Sequence, residues 1–188
     1  MVVGVLGIQG GFSKHKEVLE SSGYVASIVR TPDELKKINA LIIPGGESTT
    51  FLNLFSKLEL GEAIKEFNVN SPIMGTCAGM IVLANKVDSL SYSPLGVIDI
   101  EVNRNAYGRQ RESFVDKVNL KLENDSREFE AVFIRAPKIV SYGPDCRVLA
   151  KYNDDVIMVR NDSVLACSFH PELSGNNVIH KYFLENFI

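Results

Sequence analysis

The sequence predicts an α/β fold of three layers, a mostly parallel β-sheet flanked by helices, with antiparallel strands joining it in the second half of the chain. Three observations predict it. Short runs rich in Val, Ile and Leu alternate with amphipathic stretches through the first half, which is the rhythm of βαβ units. Those runs are apolar at nearly every position, as they must be when helices cover both faces of a sheet. After residue 87 the strand-like runs follow one another without long helices between them, which calls for antiparallel pairs.

In chain order, residues 2–8 read as a strand, 13–22 as a helix, 25–29 as a strand, 32–37 as a short helix and 40–43 as a strand. Pro44, Gly45 and Gly46 then form a turn into a helix in which Phe51, Leu54, Phe55 and Leu58 follow the i, i+3, i+4, i+7 spacing. A second helix, 61–67, precedes a strand that ends in Cys77. The helix after Cys77 carries Met80, Leu83 and Ala84 and fades near Asn85. Residues 96–102, 113–122, 129–133, 148–152, 155–160 and 164–168 read as strands. A last helix, 176–187, buries Ile179, Tyr182, Phe183 and Phe187. No repeat, low-complexity stretch or linker interrupts the chain, so residues 1–188 are expected to form one domain.

Composition narrows the function classes. A chain of 188 residues, 45% hydrophobic and 23% charged, can bury a substantial core and is not a disordered segment. With a net charge of -3 and a pI near 5.7, neither nucleic acid nor an anionic membrane is an expected partner; small polar metabolites and proteins are. Residues 1–8 lack a basic segment and read as a buried strand rather than a signal peptide, and no apolar run approaches membrane-spanning length. Cys77, Cys146 and Cys167 are odd in number and form no C-x-x-C pair, which argues against a disulfide framework or a zinc knuckle. A reducing cytoplasm is the expected location.

Three stretches carry chemistry. Gly75-Thr76-Cys77-Ala78-Gly79 joins a strand to a helix, and its Gly-x-Cys-x-Gly frame is the cysteine form of the nucleophile elbow, where small neighbours let the backbone bend and expose the side chain. The partial positive charge of the helix N-terminus favours thiolate there. The alternative is a buried structural cysteine. In Ser168-Phe169-His170-Pro171-Glu172, Pro171 predicts an extended segment, with His170 and Glu172 on one side so that the carboxylate orients the imidazole. The alternative is a satisfied histidine beside a solvated acid; a metal held by Cys77, His170 and Glu172 is the weakest reading, because no compact ligand spacing is present. If the strands before Cys77 and His170 are parallel neighbours, both side chains meet at the C-terminal edge where open α/β sheets bind ligands. Pro44-Gly45-Gly46-Glu47-Ser48 lacks the Gly-Lys of a P-loop, yet a tight glycine turn can present backbone N–H groups to an oxyanion or an amide.

Together these three motifs resemble the triad glutamine amidotransferases. Gly7-Ile8-Gln9-Gly10, Arg104-Asn105-Ala106-Tyr107-Gly108-Arg109-Gln110 and Phe133-Ile134-Arg135-Ala136-Pro137 are similar, more narrowly, to the glutaminase subunits of two-component pyridoxal 5′-phosphate synthases. The resemblance covers almost the whole chain and implies the flavodoxin-like, class I amidotransferase form of the α/β fold. It implies that Cys77, His170 and Glu172 form a catalytic triad that hydrolyses L-glutamine through a γ-glutamyl thioester, with no cofactor and no metal. It implies an oxyanion hole from the N–H groups of Ala78 and Gly46, and glutamine contacts from Gly46, Glu47, Ser48, Arg104, Ile134 and Arg135. An Arg fork matches the carboxylate of a free amino acid; Arg109 and Arg111 are left without a role.

The implied partner is a (β/α)8-barrel synthase subunit that consumes the ammonia, delivered through a channel because ammonia released into water at neutral pH is protonated and loses its nucleophilicity. Docking of that partner is expected to align the oxyanion donors, and the Gln9-Gly10-Gly11-Phe12 loop is the candidate docking surface. Two rivals stay open: the glutaminase subunit of another ammonia-using synthase, such as the imidazole glycerol phosphate one, and a non-catalytic regulatory module with a redox-sensitive Cys77.

Overall fold

The computed structural model describes residues 1–88, 90, 93–104, 113–123 and 125–188. The first half alternates strand and helix: β1 (Val2–Leu6), α1 (Phe12–Ser21), β2 (Val25–Val29), α2 (Pro32–Leu35), β3 (Ala40–Ile43), α3 (Ser48–Lys57), α4 (Leu60–Asn68), β4 (Ile73–Thr76) and α5 (Ala78–Leu83). The second half supplies β5 (Ala84–Val87), β6 (Ile98–Asn103), β7 (Ser113–Leu122), β8 (Asp125–Ile134), β9 (Lys138–Tyr142), β10 (Arg147–Tyr152), β11 (Asp155–Arg160) and β12 (Val164–Cys167). A 3-10 turn (Pro171–Leu173) and α6 (Val178–Phe187) close the chain.

The strands join in the order β2-β1-β3-β4-β12-β11-β10-β7-β8, with β5, β6 and β9 branching from β11. The first five are parallel, and β11, β10, β7 and β8 continue antiparallel. The decisive pairing is β12 against β4, with Ala166 opposite Gly75 and Cys167 opposite Thr76. A strand almost ninety residues later in the chain thus ends at the same sheet edge as the elbow.

Period-two alternation sends side chains to two cores. Leu41, Ile43, Ile73 and Val164 face α2, α3, α4 and α5, together with Leu35, Phe51, Phe55 and Ile64. Ile42, Met74, Leu165 and Cys167 face the opposite side, with Leu19 of α1 and Ile179 and Phe183 of α6. Helices on both sides of one sheet make the three layers that the apolar strands require.

Three features depart from the sequence reading. Ala84 and Asn85 belong to a strand, not to the fading end of a helix, and β9 has no counterpart in the reading of the sequence. Every residue of α5 is buried, so apolar periodicity carries no stop signal there. Its end is set instead by Leu95, Gly96 and Val97, whose N–H groups donate to the carbonyls of Val82, Ala84 and Leu83. The segment after His170 is also not extended: Pro171 opens a 3-10 turn, as its fixed φ and missing N–H allow at a first helical position. Among the described residues, no helix is long and apolar enough to cross a membrane.

Candidate active site

Cys77 is held in a strained corner. Its backbone takes φ 49 and ψ -106, a conformation rare for a residue with a Cβ, and its N–H donates to the Cys167 carbonyl at 2.8 Å. The bend needs Gly79, because a Cβ there would collide with the Ile43 carbonyl at the end of β3. Cys77 is 6% exposed, and its thiol donates to the Ile134 carbonyl at 3.7 Å.

His170 lies three residues beyond the end of β12, and its N–H donates to the Val132 carbonyl at 2.8 Å, which fixes the backbone. Its ring Nδ1 is 2.8 Å from Glu172 Oε1, so Nδ1 carries the proton and Nε2 is left for Cys77. The expected pair therefore forms, but on a 3-10 turn rather than an extended chain. Burial would lower the His170 pKa; hydrogen bonds and negative charge from Cys77 and Glu172 override it and push the value up to about 10. Burial likewise opposes ionisation of Glu172, yet His15 and His170 on its two oxygens hold its pKa below the ordinary value.

The Gly45-Gly46 turn closes over this pair. A Cβ at Gly45 would enter the His170 ring, so only glycine lets the turn approach. The turn is locked from the other side: Gly11 N–H donates to the Gly45 carbonyl at 3.0 Å, and the Gln9 amide makes two bonds to the Glu47 backbone, accepting from its N–H at 3.1 Å and donating to its carbonyl at 2.8 Å.

A cleft of about 650 Å³ opens above the thiol. Its walls include Cys77, Ala78, Gly46, Glu47, Ser48, Arg104, Ile134, Arg135 and His170, every candidate site residue except Glu172, which lies behind the imidazole. Glu47 caps α3, accepting from the N–H groups of Thr49 at 3.0 Å and Thr50 at 2.6 Å, and these bonds with that of the Thr50 hydroxyl lower its pKa against the opposing effect of burial. The Arg104 guanidinium rests on the same cap, 3.5 Å from Glu47 and 3.3 Å from the Thr49 hydroxyl. Arg135 follows Ile134 with φ 44, a second strained residue on the cleft wall. The 105–110 part of the arginine motif and Arg111 lie outside the described residues.

The sequence reading gives Gly10 and Gly11 only a docking role, yet both line the cleft. His15, which the reading passes over, touches Glu172 from behind, with Nε2 3.3 Å from Oε2. Among the described residues, no three His, Cys, Asp or Glu side chains converge as ligands for a metal.

Residues 5–188 match the SNO glutamine amidotransferase family. The chain belongs to that family. Among SNO family relatives, it is 47% identical to the pyridoxal 5′-phosphate synthase subunit PdxT of Fervidobacterium nodosum, over 98% of this chain and 96% of that one. It is 47% identical to the protein of the same name from Thermosipho africanus, over 98% and 97% of the two chains. A crystal structure of a glutamine amidotransferase, 41% identical, superposes with a TM-score of 0.93 and covers 100% of this chain and 99% of that one.

Proposed function

We propose that this SNO family protein is the glutaminase subunit of a pyridoxal 5′-phosphate synthase, hydrolysing L-glutamine to glutamate and handing the ammonia to its synthase subunit. The observation that carries the chemistry is the His170 ring bonded to Glu172 and sharing one cleft with Cys77, beneath a glycine turn at its mouth. The relatives named PdxT supply the pathway.

In this reading the Cys77 thiolate attacks the side-chain carboxamide carbon of glutamine, while the imidazolium at His170 holds the proton taken from the thiol. The tetrahedral oxyanion is received by the N–H groups of Ala78 and Gly46. His170 then protonates the departing nitrogen, ammonia leaves and a γ-glutamyl thioester remains. A water, deprotonated by the now neutral His170, attacks the thioester; glutamate leaves and the thiolate returns. Glu172 fixes the ring through Nδ1 in both halves of the cycle. We assign the α-carboxylate of glutamine to Arg104 and Arg135, with Glu47, Ser48 and the Ile134 carbonyl as polar contacts for its ammonium and amide groups. The partner is assigned a (β/α)8-barrel fold, with ammonia passing between the subunits out of water, and the site is taken to work without cofactor or nucleic acid in the cytoplasm.

The test is glutamate release from L-glutamine by the protein alone and with its synthase subunit, with Cys77→Ala as the blank. Release that depends on Cys77 and rises with the partner supports the reading. Cys77-independent release, or none in either condition, rejects it.

A further inference from the structure

All three histidines of this chain lie in one buried row that begins at the thiol and ends on the far helix layer. Glu172 Oε1 binds His170, Glu172 Oε2 lies 3.3 Å from His15 Nε2, and His15 Nδ1 lies 2.9 Å from His180 Nε2. His15 and His180 are fully buried, and no step of glutamine hydrolysis uses them.

The proton positions follow from the partners. His15 Nε2 is hydrogen-bonded to the Thr76 hydroxyl at 3.2 Å and lies 3.3 Å from Glu172 Oε2, a buried oxygen with no hydrogen bond of its own. An ionised carboxylate only accepts, so Nε2 must carry a hydrogen; a lone pair there would face negative charge in a buried site. A neutral His15 then has a bare Nδ1 that accepts from His180 Nε2–H. That leaves His180 Nδ1 as an unprotonated acceptor, and Nδ1 is the atom of this ring without a partner. In the opposite tautomer that atom would be a buried N–H with nowhere to donate, the costlier defect. The row therefore has one polarity, with hydrogens pointing from His180 through His15 to Glu172.

We propose that His15 is a positioning residue for the glutaminase reaction, its Nε2–H dipole lying 3.3 Å from the Glu172 oxygen that His170 does not use and that has no hydrogen bond of its own, with His180 setting its tautomer. The proposal rests on the glutaminase reading above. A carboxylate held at one oxygen can rotate; the His15 Nε2–H dipole beside the other, unbonded oxygen favours the plane in which His170 meets Cys77. Burial keeps His15 and His180 neutral, so they act as fixed dipoles rather than as charges competing with His170. Among the described residues, the titratable groups that face Glu172 are His15 from α1, His170 on the cleft side and Cys167 at the end of β12, with His180 of α6 behind His15.

The experiment measures glutaminase kinetics against pH for the complex of this protein with its synthase subunit, carrying His15→Leu or His15→Gln. Leucine removes the donor; glutamine carries an N–H at the end of a chain of similar reach. His15→Leu should lower kcat between about tenfold and a hundredfold with KM for glutamine unchanged, and should move the acidic limb of the kcat profile to higher pH, because Glu172 without the His15 dipole takes up a proton more readily. His15→Gln should restore most of kcat and return the limb. If His15→Leu does not fold, His180→Leu serves instead and should move kcat and the limb in the same directions by less. An unshifted limb with unchanged kcat, or Leu and Gln variants equally impaired and merely less stable, overturns the proposal. Wild-type complex without Cys77-dependent release would overturn the glutaminase reading and the proposal with it.

Discussion

The Cys77 N–H and the Cys167 carbonyl meet at 2.8 Å, so the last rung of the β4 and β12 ladder is also the bond that holds the elbow in its strained turn. The strain lies in the backbone at φ 49 and depends on a Cβ, whatever the side chain beyond it. Removing the sulfur and removing the Cβ should therefore part company. Cys77→Ala and Cys77→Gly should both lose glutaminase activity, while Cys77→Gly should be the more stable of the two by about 1 kcal/mol in urea unfolding. Equal stability, or a less stable glycine variant, would show that the turn is relaxed.

Gly45 gives the second prediction. Its Cα lies so close to His170 that a methyl group would occupy the ring's position. Gly45→Ala should push the imidazole away from Cys77 or lift the turn, costing on the order of a hundredfold in kcat, with the secondary structure seen by circular dichroism retained. An alanine variant with wild-type kcat would mean the turn has slack that its bonds to Gly11 and Gln9 do not show.

Much of this site was legible before the structure, for local reasons. The Gly-x-Cys-x-Gly frame specifies a strand-to-helix corner, and the apolar β4 and β12 segments specify buried parallel strands; their pairing then follows from one assumption about strand order. The His170 and Glu172 contact follows from the sequence by either of two geometries, since spacing of two in an extended chain and a 3-10 turn begun by proline both bring the side chains together, and the protein uses the second. β5 and β9 were hidden because one is short and follows a helix buried on every side, and the other is half exposed and pairs by long-range bonds that no local pattern encodes. His15 left a fainter trace. With Leu19 it occupies the buried face of α1, so a titratable ring sat in an apolar phase, but only tertiary structure says what lies opposite.

The buried histidines also predict how stability depends on pH. The His180 pKa falls from 6.5 to about 3, first through burial and then through His15, so the folded state refuses a proton that the unfolded chain accepts. Its contribution is complete above pH 6.5 and is lost as pH falls toward 3, by up to about 1.4 kcal/mol per pH unit. His170 works in the other direction. Raised to about 10 by Cys77 and Glu172 against burial, it contributes fully below pH 6.5 and loses that contribution as pH rises through 10. Urea unfolding should thus be most resistant near pH 6.5, and His180→Leu should flatten the acidic side while leaving the alkaline side in place. An acidic slope unchanged in His180→Leu would assign acid unfolding to other groups.

Glu47 should serve two ends that one pair of variants can separate. Its carboxylate caps α3 through Thr49 and Thr50 and also steadies Arg104 at 3.5 Å. Glu47→Ala removes the cap and the charge, and should cost about 1 kcal/mol in stability while raising KM for glutamine, because Arg104 loses the anchor that points it into the cleft. Glu47→Asn keeps a good capping side chain at the N-terminus of α3 but carries no charge and is too short to reach Arg104 in the same way. It should recover most of the stability and little of the KM. If KM recovers together with stability, Arg104 is held by the helix end rather than by Glu47, and its Thr49 contact at 3.3 Å would then be the bond that orients it.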